Sequence, residues 1–321
     1  MNTLKEIADL LKRQKSVLIF THMRPDGDTL GSAVALSHAL DALGIANEVL
    51  NEAPIPAKYN YLAGVEKIKM QPTLAAQACV CVDTSDYTRV GLLQNEYLMR
   101  SKKAVTVNID HHISNTRYAQ YNFVRERASN CENIAELITE LGVPYDRKIA
   151  NALLTGMITD SGAFSHADVN GDTFRAAALC ADAGAQVQLI TYETYKKQSR
   201  ARAEFYVEVL QKLRFEVEEK LAVVLVTQEQ LKRYGLGTDA TEGIVDFGLN
   251  VDTVEISVCL LEMKAGQYKV SLRSQGRANV NEIAKAYGGG GHVLASGCML
   301  FGDVEEIVDK LSYATRQQLD L

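Results

Sequence analysis

Residues 17–28 read VLIFTHMRPDGD, a short apolar run that breaks off in one histidine and two aspartates. Two later runs end in the same way, because ACVCVD ends at Asp83 and VTVNIDHH ends at Asp110 and a pair of histidines. In open α/β sheets the loops that follow parallel strands meet at the carboxyl edge, where ligands bind. The sequence therefore predicts that acidic and imidazole side chains converge at one edge of a sheet.

Strand-like and helix-like segments alternate from residue 16 to about residue 185. The strand-like runs are 17–20, 48–50, 79–82 and 105–109. The runs of helical period are 30–43, 134–141, 147–158 and 173–183. This alternation predicts an α/β fold, a mainly parallel sheet with helices on both faces.

The pattern changes near Gln186. Residues 186–213 are polar, compatible with helix and poor in glycine and proline, whereas hairpin-like apolar runs and a few helical segments follow from residue 214. A chain of 321 residues also exceeds the size at which a single core usually stops growing. We therefore predict an α/β domain at 1–185, a helical linker at 186–213 and a smaller α+β domain at 214–321.

Composition restricts the classes of partner. The net charge of −6 argues against a protein that holds long nucleic acid through many phosphate contacts. Bound divalent ions would reverse the local sign of an acidic cleft, so a short anionic substrate remains compatible.

There is no apolar run of the roughly 18 residues that a membrane helix needs, and the N-terminus reads as an amphipathic helix. The six cysteines are scattered, which favours reduced, buried thiols. These features predict a cytoplasmic protein without membrane contact.

Two acidic residues in the first motif suggest metal ligands. Asp26 and Asp28 flank Gly27 after a proline, so a tight turn can direct both carboxylates into one cavity beside His22. Imidazole and carboxylate ligands suit Mn²⁺ best, followed by Mg²⁺, Co²⁺ or Zn²⁺. The competing interpretation is an ordinary PDGD turn. We also expect Leu30 to open a helix whose free N–H groups form an anion site.

Four further residues are candidates for metal or substrate contacts. Asp83 either bridges two ions or caps a turn. His111 and His112 point to different sides of the chain, so one can bind metal while the other faces substrate. Asp160 ends a helical run, where its charge opposes the helix dipole unless a cation compensates. That unfavourable position favours a ligand role for Asp160.

The second domain carries a run of four glycines followed by His292. Without side chains, this backbone can approach an anion closely and present its N–H groups. A flexible hinge is the alternative. Arg273 and Arg277 lie on the hairpin that leads to this run and provide forked donors for phosphate, although Arg277 is also compatible with plain surface charge.

Five motifs in order resemble those of the DHH phosphoesterase superfamily. They are HMRPDGD at 22–28 with Gly31 and Ser32, VD at 82–83, DHH at 110–112, TDSG at 159–162 and GGGGH at 288–292. The C-terminal part is similar to the DHH-associated domain of that superfamily. The two-domain layout is most similar to the bacterial nano-RNase and 3′-phosphoadenosine 5′-phosphate (pAp) phosphatase group, to which stand-alone cyclic-dinucleotide phosphodiesterases also belong.

The resemblance implies a centre of two Mn²⁺ ions bridged by Asp83. The implied ligands are His22, Asp26 and Asp83 for one ion, and Asp28, Asp83, His111 and Asp160 for the other. Mg²⁺ or Co²⁺ could replace Mn²⁺. The resemblance also implies that His112 contacts the scissile phosphate or assists proton transfer, and that Asp110 orients a histidine from behind.

The resemblance further implies a substrate contact in the second domain and a homodimer. The implied substrate-binding residues are Arg273, Gly289, Gly290, Gly291 and His292. They would bind the part of a nucleotide that lies away from the metals.

The expected function is hydrolysis of short RNA or DNA oligonucleotides and dinucleotides such as pApA to mononucleotides. Hydrolysis of pAp to AMP is expected as a second activity. A water that bridges two metals would be the nucleophile. Three alternatives stay open: a cyclic di-AMP phosphodiesterase, an inorganic pyrophosphatase, and a non-catalytic receptor for cyclic dinucleotides.

Overall fold

The computed structural model describes residues 2–321, which form two compact units. The first unit ends at Lys197, and the rest of the chain forms the second. The division falls inside residues 186–213, the predicted linker. That stretch is not one continuous helix, because a short helix ends at Thr191, a π-helical turn follows, and the next helix begins only at Arg200.

The first unit is built on a parallel sheet of five strands. They are β1 (Ser16–Phe20), β2 (Ala46–Leu50), β3 (Ala78–Val82), β4 (Val105–Asp110) and β5 (Tyr121–Val124). Their order is β2-β1-β3-β4-β5, and every neighbouring pair is parallel. The predicted parallel sheet is therefore confirmed. Strand β5 was not predicted, because it is short and buries only Phe123.

Helices cover both faces of this sheet, as predicted. They are α1 (Leu4–Leu11), α2 (Gly27–Ala42), α3 (Gln94–Arg100), α4 (Asn130–Leu141), α5 (Arg147–Asp160), α6 (Gly171–Asp182) and α7 (Val187–Thr191). Side chains alternate between the faces along each strand. Val17 and Ile19 of β1 therefore lie in the larger apolar cluster with α1, α2, α4 and α5, whereas Leu18 and Phe20 lie in a second cluster with Tyr97 of α3.

Helix α2 begins one turn earlier than the sequence predicts. The carboxylate of Asp26 accepts hydrogen bonds from two N–H groups of the first turn, at 3.1 and 3.0 Å. Because this cap satisfies the first free N–H groups, the helix starts at Gly27, and the predicted start at Leu30 is wrong. Gly31 consequently lies inside the helix, where backbone N–H groups bond to the preceding turn. The anion site expected there is not formed.

The second unit is a mixed sheet with helices, which confirms the predicted α+β domain. Its strands are β6 (Arg214–Glu216), β7 (Leu221–Val226), β8 (Ile256–Lys264), β9 (Gln267–Ser274), β10 (Gly290–Gly291) and β11 (Ala295–Phe301). Its helices are α8 (Arg200–Leu210), α9 (Gln228–Arg233), α10 (Ile244–Gly248), α11 (Val280–Ala286) and α12 (Val304–Leu319). The strand order is β10-β11-β9-β8-β7-β6, and only β7 and β8 pair in parallel.

All six cysteines are buried and unpaired, as the sequence predicts. Burial raises the pKa of the Cys79 and Cys81 thiols to about 12, so both stay protonated at neutral pH. Within residues 2–321, none of the helices has the length and apolar character that a transmembrane span requires.

Candidate metal centre

Several of the side chains that the sequence predicts as metal ligands lie after three parallel strands, at one edge of the first sheet. His22 lies two residues after β1, Asp83 follows β3 directly, and β4 ends in Asp110 with the histidine pair behind it. Because these strands run in the same direction, their carboxyl ends meet. Asp28 in the first turn of α2 and Asp160 at the end of α5 complete the set.

The structure brings all six predicted metal ligands together. They fall into overlapping groups, and the ligand atoms of each group lie within 4.8 Å of one another. The groups are His22, Asp26 and Asp83; Asp28, His111 and Asp160; and Asp83, His111 and His112. We call the first of these the His22 group and the second the Asp28 group.

Asp83 faces one histidine of each group. Its Oδ2 lies 3.4 Å from the Nε2 atom of His22, and its Oδ1 lies 3.4 Å from the Nε2 atom of His111. Oδ1 is buried and accepts no hydrogen bond from any described residue. Asp83 also has a φ of 52°, a left-handed conformation that a residue with a side chain adopts only at a cost of about 1–2 kcal/mol. An unsatisfied, buried carboxylate oxygen is unfavourable, and a bound cation would satisfy it.

The backbone fixes the ring orientation of both histidines. The Nδ1 atom of His22 lies 2.8 Å from the carbonyl of Met23, and the Nδ1 atom of His111 lies 2.9 Å from the carbonyl of Arg127. A carbonyl only accepts, so each Nδ1 carries the proton and donates. In the neutral ring this leaves the Nε2 lone pair facing the carboxylates, which is the arrangement of metal-binding histidines.

Two backbone N–H groups hold the carboxylate of Asp28. The N–H of Asn130 donates to Oδ2 at 2.6 Å, and the N–H of Cys131 donates to Oδ1 at 2.9 Å. Both groups belong to the first turn of α4, where unpaired N–H groups favour an anion. Asp28 is only 1% exposed, so its carboxylate is fixed in place.

Glycines let α2 and α5 approach closely enough to bring Asp28 and Asp160 into one cluster. A Cβ on Gly27 would lie 2.2 Å from Oγ1 of Thr159, and a Cβ on Gly31 would lie 2.4 Å from the carbonyl oxygen of Ala152. A Cβ on Gly156 of α5 would lie 2.6 Å from Oδ1 of Asp28. Sequence reasoning missed this packing role, although the four-residue spacing of Gly27 and Gly31 on one helix face indicates it.

The electrostatics of the cluster favour a positive charge between the side chains. Burial and the neighbouring charges of Asp83 and Asp160 raise the pKa of Asp28 well above its usual range. Burial is also the main cause that raises the pKa of Asp160 to about 7. Burial alone would lower the pKa of His22 and of His111, but the surrounding carboxylates raise them to about 10 and about 11. The cation-free cluster thus takes up protons that bound metal ions would replace.

This donor set fits divalent cations. It combines two imidazole nitrogens of fixed tautomer with hard carboxylate oxygens, the ligand types that suit Mn²⁺ and Mg²⁺. Two dications carry four positive charges. Four carboxylates, those of Asp26, Asp28, Asp83 and Asp160, supply the same number of negative charges. The residues of the His22 and Asp28 groups could therefore hold two ions with little net charge.

Asp110 and His112 form a hydrogen-bonded pair next to Asp83, whose Oδ1 lies 3.7 Å from the Nδ1 atom of His112. The Nδ1 atom of His112 donates to Oδ1 of Asp110 at 2.8 Å, and the amide of Asn115 donates to Oδ2 at 2.6 Å. Burial would raise the pKa of Asp110, but the hydrogen bond and charge of His112 lower it, so the carboxylate is ionised. His112 is the more accessible of the two, with 32% of its side chain exposed. The Asp110–His112 pair therefore offers an oriented imidazole for proton transfer.

The glycine run of the second unit is a hairpin and not an open nest. The N–H groups of Gly288, Gly289 and His292 already bond to backbone carbonyls, at 3.0, 2.9 and 2.8 Å. Gly291 pairs with β11, and its φ of 147° requires glycine. The N–H groups of Gly288 and Gly289 are therefore not available to the expected anion nest, because carbonyls of α11 accept them. Gly290 is exposed, and a Cβ there would meet no atom within 4 Å.

Arg273 and Arg277 each form an ion pair with a carboxylate. Arg273 donates through Nε to Asp246 at 3.0 Å and through Nη1 to the carbonyl of Leu272 at 3.1 Å. Its Nη2 makes no hydrogen bond to a described residue, so it remains available to an anion. Arg277 pairs with Glu255 at 3.1 Å on the surface, as its ordinary interpretation predicts.

Family models match most of both units. The model for the DHH family, N-terminal domain, matches residues 16–157, and the DHHA1 domain matches residues 218–317. The bifunctional oligoribonuclease and PAP phosphatase NrnA of Thermus thermophilus is 30% identical over 98% of this chain and 93% of its own length. The chain belongs to the DHH family. The predicted family is thereby confirmed, and DHH phosphoesterases are metal-dependent hydrolases.

Other relatives of this DHH-family protein carry related names. The NrnA protein of Bacillus subtilis is 23% identical over 92% of this chain and 93% of its own length. The cyclic-di-AMP phosphodiesterase GdpP of the same organism is 24% identical over 96% of this chain, which spans 48% of that protein. A crystal structure of an exopolyphosphatase-related protein from Bacteroides fragilis has the same fold, with a TM-score of 0.88, 24% identity, and coverage of 99% of this chain and 96% of that one.

Proposed function

We propose that this DHH-family protein hydrolyses short RNA or DNA oligonucleotides and dinucleotides such as pApA to mononucleotides, and pAp to AMP. The observation that carries the proposal is the position of Asp83, whose two oxygens face His22 and His111 at 3.4 Å each. A carboxylate between two ligand groups could bridge two ions at the spacing of a two-metal centre. The names of the NrnA relatives support the nucleotide class of substrate.

The proposed cofactors are two Mn²⁺ ions, with Mg²⁺ or Co²⁺ as substitutes. Asp83 would be shared, the His22 group would hold one ion, and the Asp28 group would hold the other. When bound, such ions would supply a hydroxide near neutral pH and would stabilise the negative charge that develops at the phosphate.

His112, oriented by Asp110, would transfer a proton during hydrolysis or bind the phosphate. Asp110 keeps the Nδ1 atom of His112 protonated, so the Nε2 lone pair is free to accept a proton or to bind the phosphate through an imidazolium. An aspartate that fixes the tautomer and stabilises the charged ring is an established arrangement for general acid–base catalysis.

The second unit would bind the nucleotide. Arg273 offers a guanidinium edge for phosphate, and His292 and Gly290 lie in the exposed part of the glycine hairpin. Gly289 and Gly291 would keep that hairpin closely packed against β11, where a Cβ on either would lie within 2.5 Å of a backbone carbonyl.

A second candidate substrate is cyclic di-AMP. It is favoured by the similarity to GdpP, which extends over nearly the whole of this chain. Inorganic pyrophosphate and binding without turnover are the remaining alternatives.

A turnover panel tests the proposal. Purified protein would be given pApA, a short RNA oligomer, pAp, cyclic di-AMP and pyrophosphate, each with Mn²⁺ and with Mg²⁺. We expect turnover of pApA, short RNA and pAp that exceeds turnover of cyclic di-AMP and pyrophosphate. Faster hydrolysis of pyrophosphate, or tight binding of a dinucleotide without hydrolysis, would contradict the proposal. The homodimer and the cytoplasmic location stay predictions.

A further inference from the structure

Residues 127–131, which span the end of the loop after β5 and the first turn of α4, hold two ligands of the same group. The carbonyl of Arg127 accepts the Nδ1 proton of His111 at 2.9 Å. The N–H groups of Asn130 and Cys131 donate to Asp28 at 2.6 and 2.9 Å. His111 and Asp28 both belong to the Asp28 group, whereas the carbonyl that holds His22 comes from a different loop. The geometry of the Asp28 group therefore depends on segment 127–131.

The carbonyl of Arg127 is not fixed by regular secondary structure. Residues 125–129 lie between β5 and α4 and belong to neither. The direction of a carbonyl in such a segment depends on what anchors the residue itself. For Arg127, that anchor is its own side chain.

The guanidinium of Arg127 contacts carboxylates from two helices. Nη2 lies 2.6 Å from Glu136 and Nη1 lies 3.8 Å from Glu132, both on α4. Nη1 also lies 3.0 Å from Asp172 in the first turn of α6. The side chain is only 11% exposed, and its Nε is buried without a hydrogen-bond partner among the described residues.

This arrangement is a poor way to gain stability alone. The side chains of Glu136 and Asp172 are 41% and 54% exposed, so water screens their attraction to the arginine. Desolvation offsets most of the attraction to the buried Glu132. What the three carboxylates do supply is a defined direction for the arginine, because its planar guanidinium donates its N–H groups only in fixed directions. Groups behind a metal-binding histidine typically change metal affinity by about 10- to 100-fold.

We propose that Arg127 is a positioning residue for one of the two metal sites. Its side chain, clamped by Glu132, Glu136 and Asp172, sets the carbonyl that orients His111 and with it the Asp28 group. The His22 group is independent of this clamp. The inference rests on the proposed two-ion centre.

The test measures Mn²⁺ affinity of the cation-free full-length chain, by the electron paramagnetic resonance signal of free Mn²⁺. Two parent variants each weaken one group: His22→Ala leaves the Asp28 group intact, and Asp160→Ala leaves the His22 group intact. Adding Arg127→Met to the first parent is expected to weaken Mn²⁺ binding by about 10- to 100-fold. Adding it to the second parent is expected to leave binding unchanged.

Arg125→Ala is the matched control. Arg125 pairs with the same Glu136 at 2.8 Å, but its side chain is largely exposed and its carbonyl does not contact the cluster. We expect the control to leave Mn²⁺ affinity unchanged in both parents. Equal weakening by Arg125→Ala and Arg127→Met would overturn the inference, because loss of surface charge would then explain both.

Two further outcomes separate the possible failures. If Arg127→Met is folded by circular dichroism and binds Mn²⁺ as its parent does, Arg127 has no positioning role. If Arg127→Met does not fold, Glu136→Gln is used in its place, because Glu136 lies at a partly exposed position of α4. Weaker Mn²⁺ binding in the first parent alone would support the inference. Unchanged Mn²⁺ binding would overturn it. If the His22→Ala parent binds no Mn²⁺, the proposed second metal site itself is wrong.

Discussion

The candidate metal centre and the candidate nucleotide site hold their side chains in opposite ways. In the metal centre, Asp28 and Asp83 are 1% and 2% exposed, and backbone hydrogen bonds fix Asp28 and both histidines, whereas Asp26 and Asp160 have side chains that are 53% and 34% exposed. In the second unit, 34% of the Arg273 side chain is exposed, and His292 lies on the surface. Cations need fixed, dehydrated ligands, whereas a nucleotide needs donors that solvent and substrate can reach. Changes in the first site should therefore affect the chemical step, and changes in the second should affect binding.

The largest effect is expected from Asp83→Asn. It removes the shared charge between the two ligand groups, so hydrolysis should fall below detection. That loss exceeds the about 10²- to 10⁴-fold effect of removing a proton-transfer group. The measurement is the initial rate with pApA and Mn²⁺. Asp86→Asn, a change at a less buried aspartate three residues further on, is the control and should retain activity. Activity of Asp83→Asn near that of the control would contradict the shared role.

A smaller loss is expected from Asp110→Asn. The substitution removes the ionised acceptor from the Nδ1 proton of His112, so kcat should fall by about 10²-fold or more. Asp110 is not one of the proposed ligands, and Mn²⁺ affinity should stay at the wild-type value. A variant with normal kcat would show that the orientation of His112 is unimportant, and a variant with weakened Mn²⁺ binding would place Asp110 in the metal site.

Arg273→Ala tests the other side of the comparison. Loss of a hydrogen bond to a charged group, worth about 1.5–3 kcal/mol, should raise KM for pApA by about 10- to 150-fold with little change in kcat. The small diester bis(p-nitrophenyl) phosphate, which has no nucleotide, should be hydrolysed at the normal rate. Arg277→Ala serves as the control, since Arg277 already pairs with Glu255. Equal losses on both substrates would mean that Arg273 acts on the fold or on the chemistry.

The smallest effects separate the glycines of the hairpin. Gly289→Ala should destabilise the protein by about 1–3 kcal/mol, because its Cβ would lie 2.2 Å from the carbonyl of Gly297. Gly290→Ala has open space and should change the free energy of unfolding by less than about 0.5 kcal/mol. Urea unfolding of both variants gives the answer. Equal destabilisation would mean that Gly290 is also needed for packing.

The sequence predicted the sheet and the convergence of acidic and imidazole side chains at its edge for a physical reason. Parallel strands necessarily bring their carboxyl ends together, so aspartates and histidines at those ends could be assigned to one edge before the structure was known. The predicted start of α2 is wrong because Asp26, a preferred N-cap residue type, caps the helix and moves its start to Gly27.

Backbone contributions could not be predicted in the same way. The carbonyl of Arg127 and the N–H groups of Asn130 and Cys131 are chemically the same as those of every other residue, so nothing in the sequence marks them. Their role depends on where the chain turns after β5, a short strand that the sequence pattern does not indicate. The availability of N–H groups in the glycine run could not be predicted for a related reason, since pairing with β11 decides which of them remain free.

The most direct measurement is anomalous diffraction at the manganese edge from crystals grown with Mn²⁺. The two-ion account predicts two peaks that share Asp83, one beside His22 and Asp26, and the other beside Asp28, His111 and Asp160. A single peak, or peaks that leave Asp83 uncoordinated, would contradict it.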